Sequence, residues 1–183
     1  MNAVRAALRG PIGRATFDVY GLDPAGFHID ARSRRVVPSD LARLHDMGLL
    51  AERPDHQVRL RRGDVGLMIE EAGDPVAVVW MNLVGHADAY AGRWSRPDPE
   101  TGYLNQLLVH PDHRGRGCGK LLVAAACASA AQAHRTRVSV IIQPTNAASI
   151  ALFRGVGATR LARIQVFRAG PMSVRLPRSA TSL

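Results

Sequence analysis

Apolar and polar positions along the chain divide it into short periodic stretches separated by turn-forming residues. Residues 14 to 24 alternate loosely around Phe17, Val19 and Tyr20 and read as an extra strand ahead of the core. Phe27 to Val37 reads as the first core strand. From Pro38 a serine or aspartate cap (Ser39, Asp40) precedes an apolar face, which predicts a helix to about Leu50. A second short helix from Pro54 to Arg62 would stop at Gly63. Val65–Glu71 and Pro75–Asn82 are apolar runs joined across Ala72-Gly73-Asp74, a hairpin signal. Leu104–Val109 reads as a strand, Leu121–Ala128 as a helix, Val138–Gln143 as a buried strand rich in β-branched residues, and Thr159–Arg168 as a last strand. A hairpin followed by strand-helix units predicts an α/β fold with a mixed central sheet.

Between Leu83 and Gly102 no period is visible. A loop of that length in a compact domain is functional or a solvated insertion, and Tyr90, Trp94 and Asp88 are its candidates for lining an acceptor pocket. The expected organisation is an N-terminal extension over 1–26, one domain over 27–168, and a polar tail over 169–183. That tail is expected to be largely disordered, with an edge strand at Met172–Leu176 as the alternative. With 183 residues, 46% of them hydrophobic, one buried core is favoured over two.

The richest local chemistry lies in His110-Pro111-Asp112-His113-Arg114-Gly115-Arg116-Gly117-Cys118-Gly119-Lys120, where a strand, a glycine-dense turn and a helix start follow one another. Glycine permits positive φ and close approach of backbone to a ligand. The unpaired N–H groups of a helix start attract a phosphate or pyrophosphate. Arg114, Arg116 and Lys120 add formal charge. The spacing is not that of a mononucleotide loop, because Leu121 follows Lys120 where a hydroxyl is required, and not that of a dinucleotide fingerprint, because glycines 115, 117 and 119 simply alternate.

Arg114-x-x-Gly117-x-Gly119 resembles the Q/R-x-x-G-x-G/A turn of GNAT-family N-acetyltransferases. A second stretch, Asn146 followed by Ser149-Ile150-Ala151-Leu152-Phe153 and the stop at Gly155 and Gly157, is similar to that family's asparagine and short helix after the fifth strand. The resemblance covers roughly residues 60 to 167. It implies a single GNAT-like domain, an N-terminal hairpin half joined to a C-terminal strand-helix-strand-helix half. The implied activity is transfer of an acetyl group from acetyl-coenzyme A to an amine of a small molecule or a protein. It further implies that backbone groups of Leu107, Leu108 and Val109 hold the pantetheine, a backbone N–H near Leu108 or Val109 serving as oxyanion donor. The turn Arg114, Gly115, Arg116, Gly117, Cys118, Gly119 and Lys120 would take the pyrophosphate, Asn146 and Ser149 would line the cofactor, and Phe153 would pack against the cofactor arm or the core.

Phe153 stands where many relatives have the tyrosine that protonates the thiolate, and Asn105 and Gln106 stand where relatives often have a glutamate. The catalytic candidates are therefore Glu100, Asn105, Gln106 and Ser149, with Glu70, Glu71, Asp88 and His86 as further ionisable groups. These departures support a second reading, a catalytically silent acyl-coenzyme A sensor.

A net charge of +9 and a pI of about 11.1 admit a polyanion partner. The basic residues are nearly all arginine, Lys120 being the one lysine, and no basic run is interleaved with aromatics, which disfavours nucleic acid. Two cysteines, Cys118 and Cys127, provide no disulfide framework and favour a cytoplasmic location. His110 and His113 have no evident third ligand, so no metal is expected. No apolar run is long enough for a membrane helix, so no membrane partner is expected, and a homodimer stays open.

Overall fold

The β3–β4 hairpin organises the sheet. In the computed structural model, which describes residues 12–50, 56–83, 98–169 and 172–178, β3 (Val65–Glu71) and β4 (Asp74–Asn82) are joined through Ala72 and Gly73. Both carry positive φ, 51° and 92°, as a two-residue turn matched to strand twist requires. β4 is buried from Pro75 to Asn82, the pattern of a strand covered on both faces. β2 (Ser33–Arg35) pairs with β3, and β5 (Thr101–Val109) with β4, all antiparallel. α3 (Cys118–Gln132) then crosses over to β6 (Arg137–Ile142), which lies parallel to β5.

The far half of the sheet departs from the sequence reading. Ile12–Leu22 is indeed a strand, β1, but it lies inside the sheet, antiparallel to both β6 and β7 (Thr159–Ala169). The whole order is β2-β3-β4-β5-β6-β1-β7-β8. What looked like loose alternation is two clean phases joined by an irregularity. Ala15 and Phe17 pack with Ile164 and Val166 on one face, whereas Tyr20 and Leu22 join the main core on the other. The register with β7 shifts between Val19 and Tyr20, which exchanges the faces. Asp18, buried in the strand, is held by Arg163 at 2.7 and 2.9 Å. Those hydrogen bonds keep its carboxyl below the usual range. Residues 12–22 are thus part of the domain and not an extension to it.

Two other expectations change. The predicted strand over 27–37 shrinks to Ser33–Arg35, because Asp30 draws the chain into a turn by accepting from the backbone and guanidinium of Arg32. Met172–Arg178 forms β8, an edge strand on β7, so that part of the tail belongs to the sheet.

Helices cover the two faces unequally. α3 and α4 (Ala147–Gly155) flank the face holding Val79, Met81 and Leu104, and α4 adds Phe153 to that core. On the other face α1 (Leu41–Asp46), preceded by a 3₁₀ turn at Pro38–Asp40, supplies Leu41 and Leu44 to a core with Met68, Val78 and Trp80. α1 stops before the predicted Leu50 because Gly48, at φ 65°, ends it and Leu49 N–H donates back to Leu44 O. α2 (His56–Arg61) lies beside it in sequence and contributes buried His56 and Arg59. Gly66 gives the Trp80 indole its room: a Cβ there would come within 3.0 Å of the ring and 2.9 Å of Val36.

Deleting residues 1–22 removes a strand paired on both edges, so the truncated chain should lose its cooperative thermal transition in circular dichroism. A melt matching the full chain would show that β1 is dispensable.

Candidate functional site

Cross-strand pairing between β5 and β6 runs from Thr101↔Arg137 to Leu104↔Val140 and then ceases, although β5 continues to Val109 and β6 to Ile142. The departure coincides with a bulge. Val79 pairs with Leu107 and Trp80 with Asn105, so Gln106 is the inserted residue, at φ 56°. Beyond it, β5 stays bonded to β4, and His110 N–H donates to Val76 O at 2.8 Å. That bond fixes the alternation: the N–H and C=O of Leu107 and Val109 face the gap, while those of Leu108 face β4. Leu108 also packs its side chain into the α1 face. Of the three strand-end residues expected to offer backbone groups, Leu107 and Val109 do so, and Leu108 is committed to Val78.

The gap opens toward the glycine turn. After the 3₁₀ turn Pro111–His113, Gly115 and Gly117 adopt φ of 77° and 84°, and a Cβ on either would meet nothing within 4 Å. Their requirement is conformational, and the space beside them is free. Gly117 caps α3 without any side-chain hydrogen bond, and the first intrahelical bond is Leu121 N–H to Gly117 O. The N–H groups of Cys118, Gly119 and Lys120 are left to a ligand or solvent. Gly119 serves packing, since its Cβ would stand 3.2 Å from Leu152. Arg114, Arg116 and Lys120 are exposed around the turn. Glu71, from the hairpin end, steadies it by accepting from His113 at 2.9 Å, with Arg116 at 3.7 Å.

Across the gap, Asn146 caps α4 by accepting from Ser149 N–H at 3.1 Å, while Ser149 keeps a half-buried side chain. Phe153 is only 2% exposed and belongs to the core beneath α4, the same cluster against which Leu107 and Val109 pack. Cys118 likewise buries its thiol and can offer only its N–H. Burial pushes the Cys127 thiol up to about 12, which leaves it an inert core residue.

The catalytic candidates separate. Glu100 stands at the N-terminal end of β5, opposite the turn, where its backbone carbonyl accepts from Thr136 and Arg137. Its distance along the strand removes it from the gap. Glu70 is taken by Arg34 and Arg43, which hold its carboxyl below the usual range. Asp88, His86, Tyr90 and Trp94 lie outside the described residues. Asn105 and Gln106 meet a polar cluster that the sequence reading did not single out. Gln106 Oε1 lies 3.1 Å from His56 Nε2, and Arg59 donates to Asn105 Oδ1 at 2.5 Å and to Asp64 Oδ2 at 2.9 Å. Arg62 and Asn82 also donate to Asp64, whose side chain is wholly buried. Trp80 floors the cluster, its ring 4.8 Å from both the His56 ring and the Arg59 guanidinium. Among the described residues no three His, Cys, Asp or Glu side chains are placed to hold a metal, and no helix is long and apolar enough to cross a membrane.

Comparison with known proteins identifies the family and the fold. The sequence model of the family described as Acetyltransferase (GNAT) family matches residues 39–158. A curated relative, the L-2,4-diaminobutyric acid acetyltransferase of Nocardia farcinica, is 33% identical over 91 residues, 49% of this chain and 47% of that protein. The chain thus spans about half the length of the curated relative it matches. A putative GNAT acetyltransferase from Novosphingobium aromaticivorans superposes with a TM-score of 0.67 at 18% identity, covering 83% of this chain and 62% of the other. An aminoglycoside N-acetyltransferase in complex with coenzyme A superposes with a TM-score of 0.50 at 19% identity, over 68% of this chain and 89% of its own.

Because the Phe153 ring lies in the core, restoring the expected tyrosine should not restore an acid. Phe153→Tyr buries a hydroxyl without a partner and should cost about 1–3 kcal/mol in denaturant unfolding. Unchanged stability would mean that the hydroxyl reaches the gap.

Proposed function

Since the chain belongs to the acetyltransferase (GNAT) family, we propose that it transfers an acetyl group from acetyl-coenzyme A to the amine of a small molecule. One observation carries this reading: the backbone groups freed where β5 leaves β6 run on to an uncapped, glycine-lined helix start. The first suits an amide-bearing arm and the second a pyrophosphate. Acetyl-coenzyme A supplies an activated thioester, and in the transfer a C–N bond forms as the C–S bond breaks.

The residues divide the work. Cys118, Gly119 and Lys120 N–H groups hold the pyrophosphate, with Arg114, Arg116 and Lys120 side chains adding charge. The Leu107 and Val109 backbones align the arm, and a Val109 or Leu107 N–H faces the carbonyl oxygen as charge builds on it. Asn146 opens α4 on the other side. Asp64 cannot take the amine proton, being buried beneath Arg59, Arg62 and Asn82. Among the described residues no free carboxylate takes its place, and the amine enters neutral or gives its proton to water. A thiol pKa of about 8–9, by comparison with cysteine, lets water or the Ser149 hydroxyl return a proton to the departing thiolate. The likeness to a diaminobutyric acid acetyltransferase favours a small-molecule acceptor over a protein.

Titration calorimetry with acetyl-coenzyme A, followed by thiol release on a panel of amines, tests this. The chain should bind, and Gly117→Asp should weaken binding at least about tenfold by placing a carboxylate at the pyrophosphate, each tenfold being about 1.4 kcal/mol. The variant should stay folded, since aspartate tolerates left-handed backbone and a Cβ at 117 meets nothing within 4 Å. Binding without release on any amine would favour the silent sensor, and no binding by the unaltered chain would overturn both readings.

A further inference from the structure

The polar cluster behind the β5 bulge is charged out of balance. Among the described residues Asp64 is its one carboxylate, and two guanidiniums converge on the same oxygen, Arg59 Nε and Arg62 Nη2 each at 2.9 Å. Arg59 is 2% exposed, so its charge has little help from solvent. Burial pushes that guanidinium below its ordinary value, Arg62 presses the same way, and only Asp64 resists.

The hydrogen bonds are out of balance in the same sense. Arg59 Nη1, Arg62 Nε, Trp80 Nε1 and Gln106 Nε2 are buried without a partner, and all four are donors. The side-chain acceptors of the cluster's described residues are spent: Asn105 Oδ1 on Arg59, Gln106 Oε1 on His56, and both Asp64 oxygens on Arg59, Arg62 and Asn82. A donor left unpaired in a protein interior costs about 1–3 kcal/mol. Four in one place, beside a surplus positive charge, describe a site completed by an anionic group with several acceptor lone pairs.

Position identifies that group's owner. Gln106 is the bulge residue itself, one step from the Leu107 backbone that faces the gap. The pyrophosphate turn follows Val109 at the C-terminal end of β5, whereas the Gln106 side chain turns to His56 and Trp80 on the α2 face, so the anion in question is not the donor's.

We propose that Arg59, Arg62, Trp80 and Gln106 form a carboxylate-recognition site for the acceptor, whose substrate class is an amino acid carrying the reacting amine. The assignment rests on the acyl-transfer reading above. A planar carboxylate offers the two oxygens that a guanidinium edge and neighbouring N–H donors require.

The test is calorimetric titration of the full chain, saturated with coenzyme A, with L-2,4-diaminobutyrate and with 1,3-diaminopropane, the same diamine lacking the carboxylate. The diaminobutyrate should bind at least about tenfold tighter, as loss of a charge-assisted pair implies. Gln106→Glu supplies a carboxylate from the chain, so it should erase that preference and raise the melting temperature. Equal affinities, binding of neither compound, or a preference that survives in Gln106→Glu would overturn the proposal, water then being the partner of these donors. Failure of coenzyme A itself to bind would instead overturn the acyl-transfer reading.

Discussion

Everything about the candidate site depends on one geometric event, the parting of β5 from β6 while β5 stays bonded to β4. Neighbouring parallel strands in a sheet normally satisfy each other's backbone groups along their whole length. Here they do so only from Thr101 to Leu104. The residue that lets β5 leave is Gln106, held at φ 56° without being glycine. Such a conformation persists only where surrounding contacts impose it, and His56 on one side and the β4 ladder on the other do so. Strain at one residue thereby yields a row of free backbone groups.

A strand released on one edge needs holding on the other. β1 pairs with β6 from Leu22↔Val138 to Asp18↔Ile142 and continues along β7 for ten residue pairs. It closes the edge of β6 facing away from the gap and ties it to the last third of the chain. The Asp18–Arg163 pair locks that register in acid-sensitive fashion. Because the Asp18 carboxyl is held below its ordinary value, its contribution is complete above the unfolded-state value and is lost as pH falls through the folded-state one.

What was legible in the sequence was local. The hairpin, the turn from Arg114 to Lys120 and the cap at Asn146 each depend on residues within a few positions of one another, where backbone requirements leave a compositional mark. β1 was legible as a strand but not as a central one, because the register shift between Val19 and Tyr20 exchanges its buried face and blurs the alternation that burial of a single face would show. Phe153 could be aligned with a catalytic position by spacing, yet spacing does not say which way a helix rolls, and this ring faces the core. The cluster around Arg59 was invisible for a different reason. Its hydrogen bonds join Arg59 to Asn105 and Asp64 to Asn82, so chain separations of 46 and 18 residues must first be closed by the sheet. A lone arginine on a short helix carries no mark of that destination.

The two sides of the site consequently differ in kind. On the turn side the chain offers backbone N–H groups, which any sequence able to adopt the glycine conformations can present, and this suits a donor common to many reactions. On the bulge side it offers side chains brought from α2, β4 and β5, whose donors are fixed in type and place by the residues themselves. Unpaired donors there lower the stability of the free protein, and whatever pairs them regains that free energy on binding. In the proposed carboxylate site selectivity would arise from the same imbalance, because a ligand lacking the complementary group would displace solvent without satisfying the donors left behind.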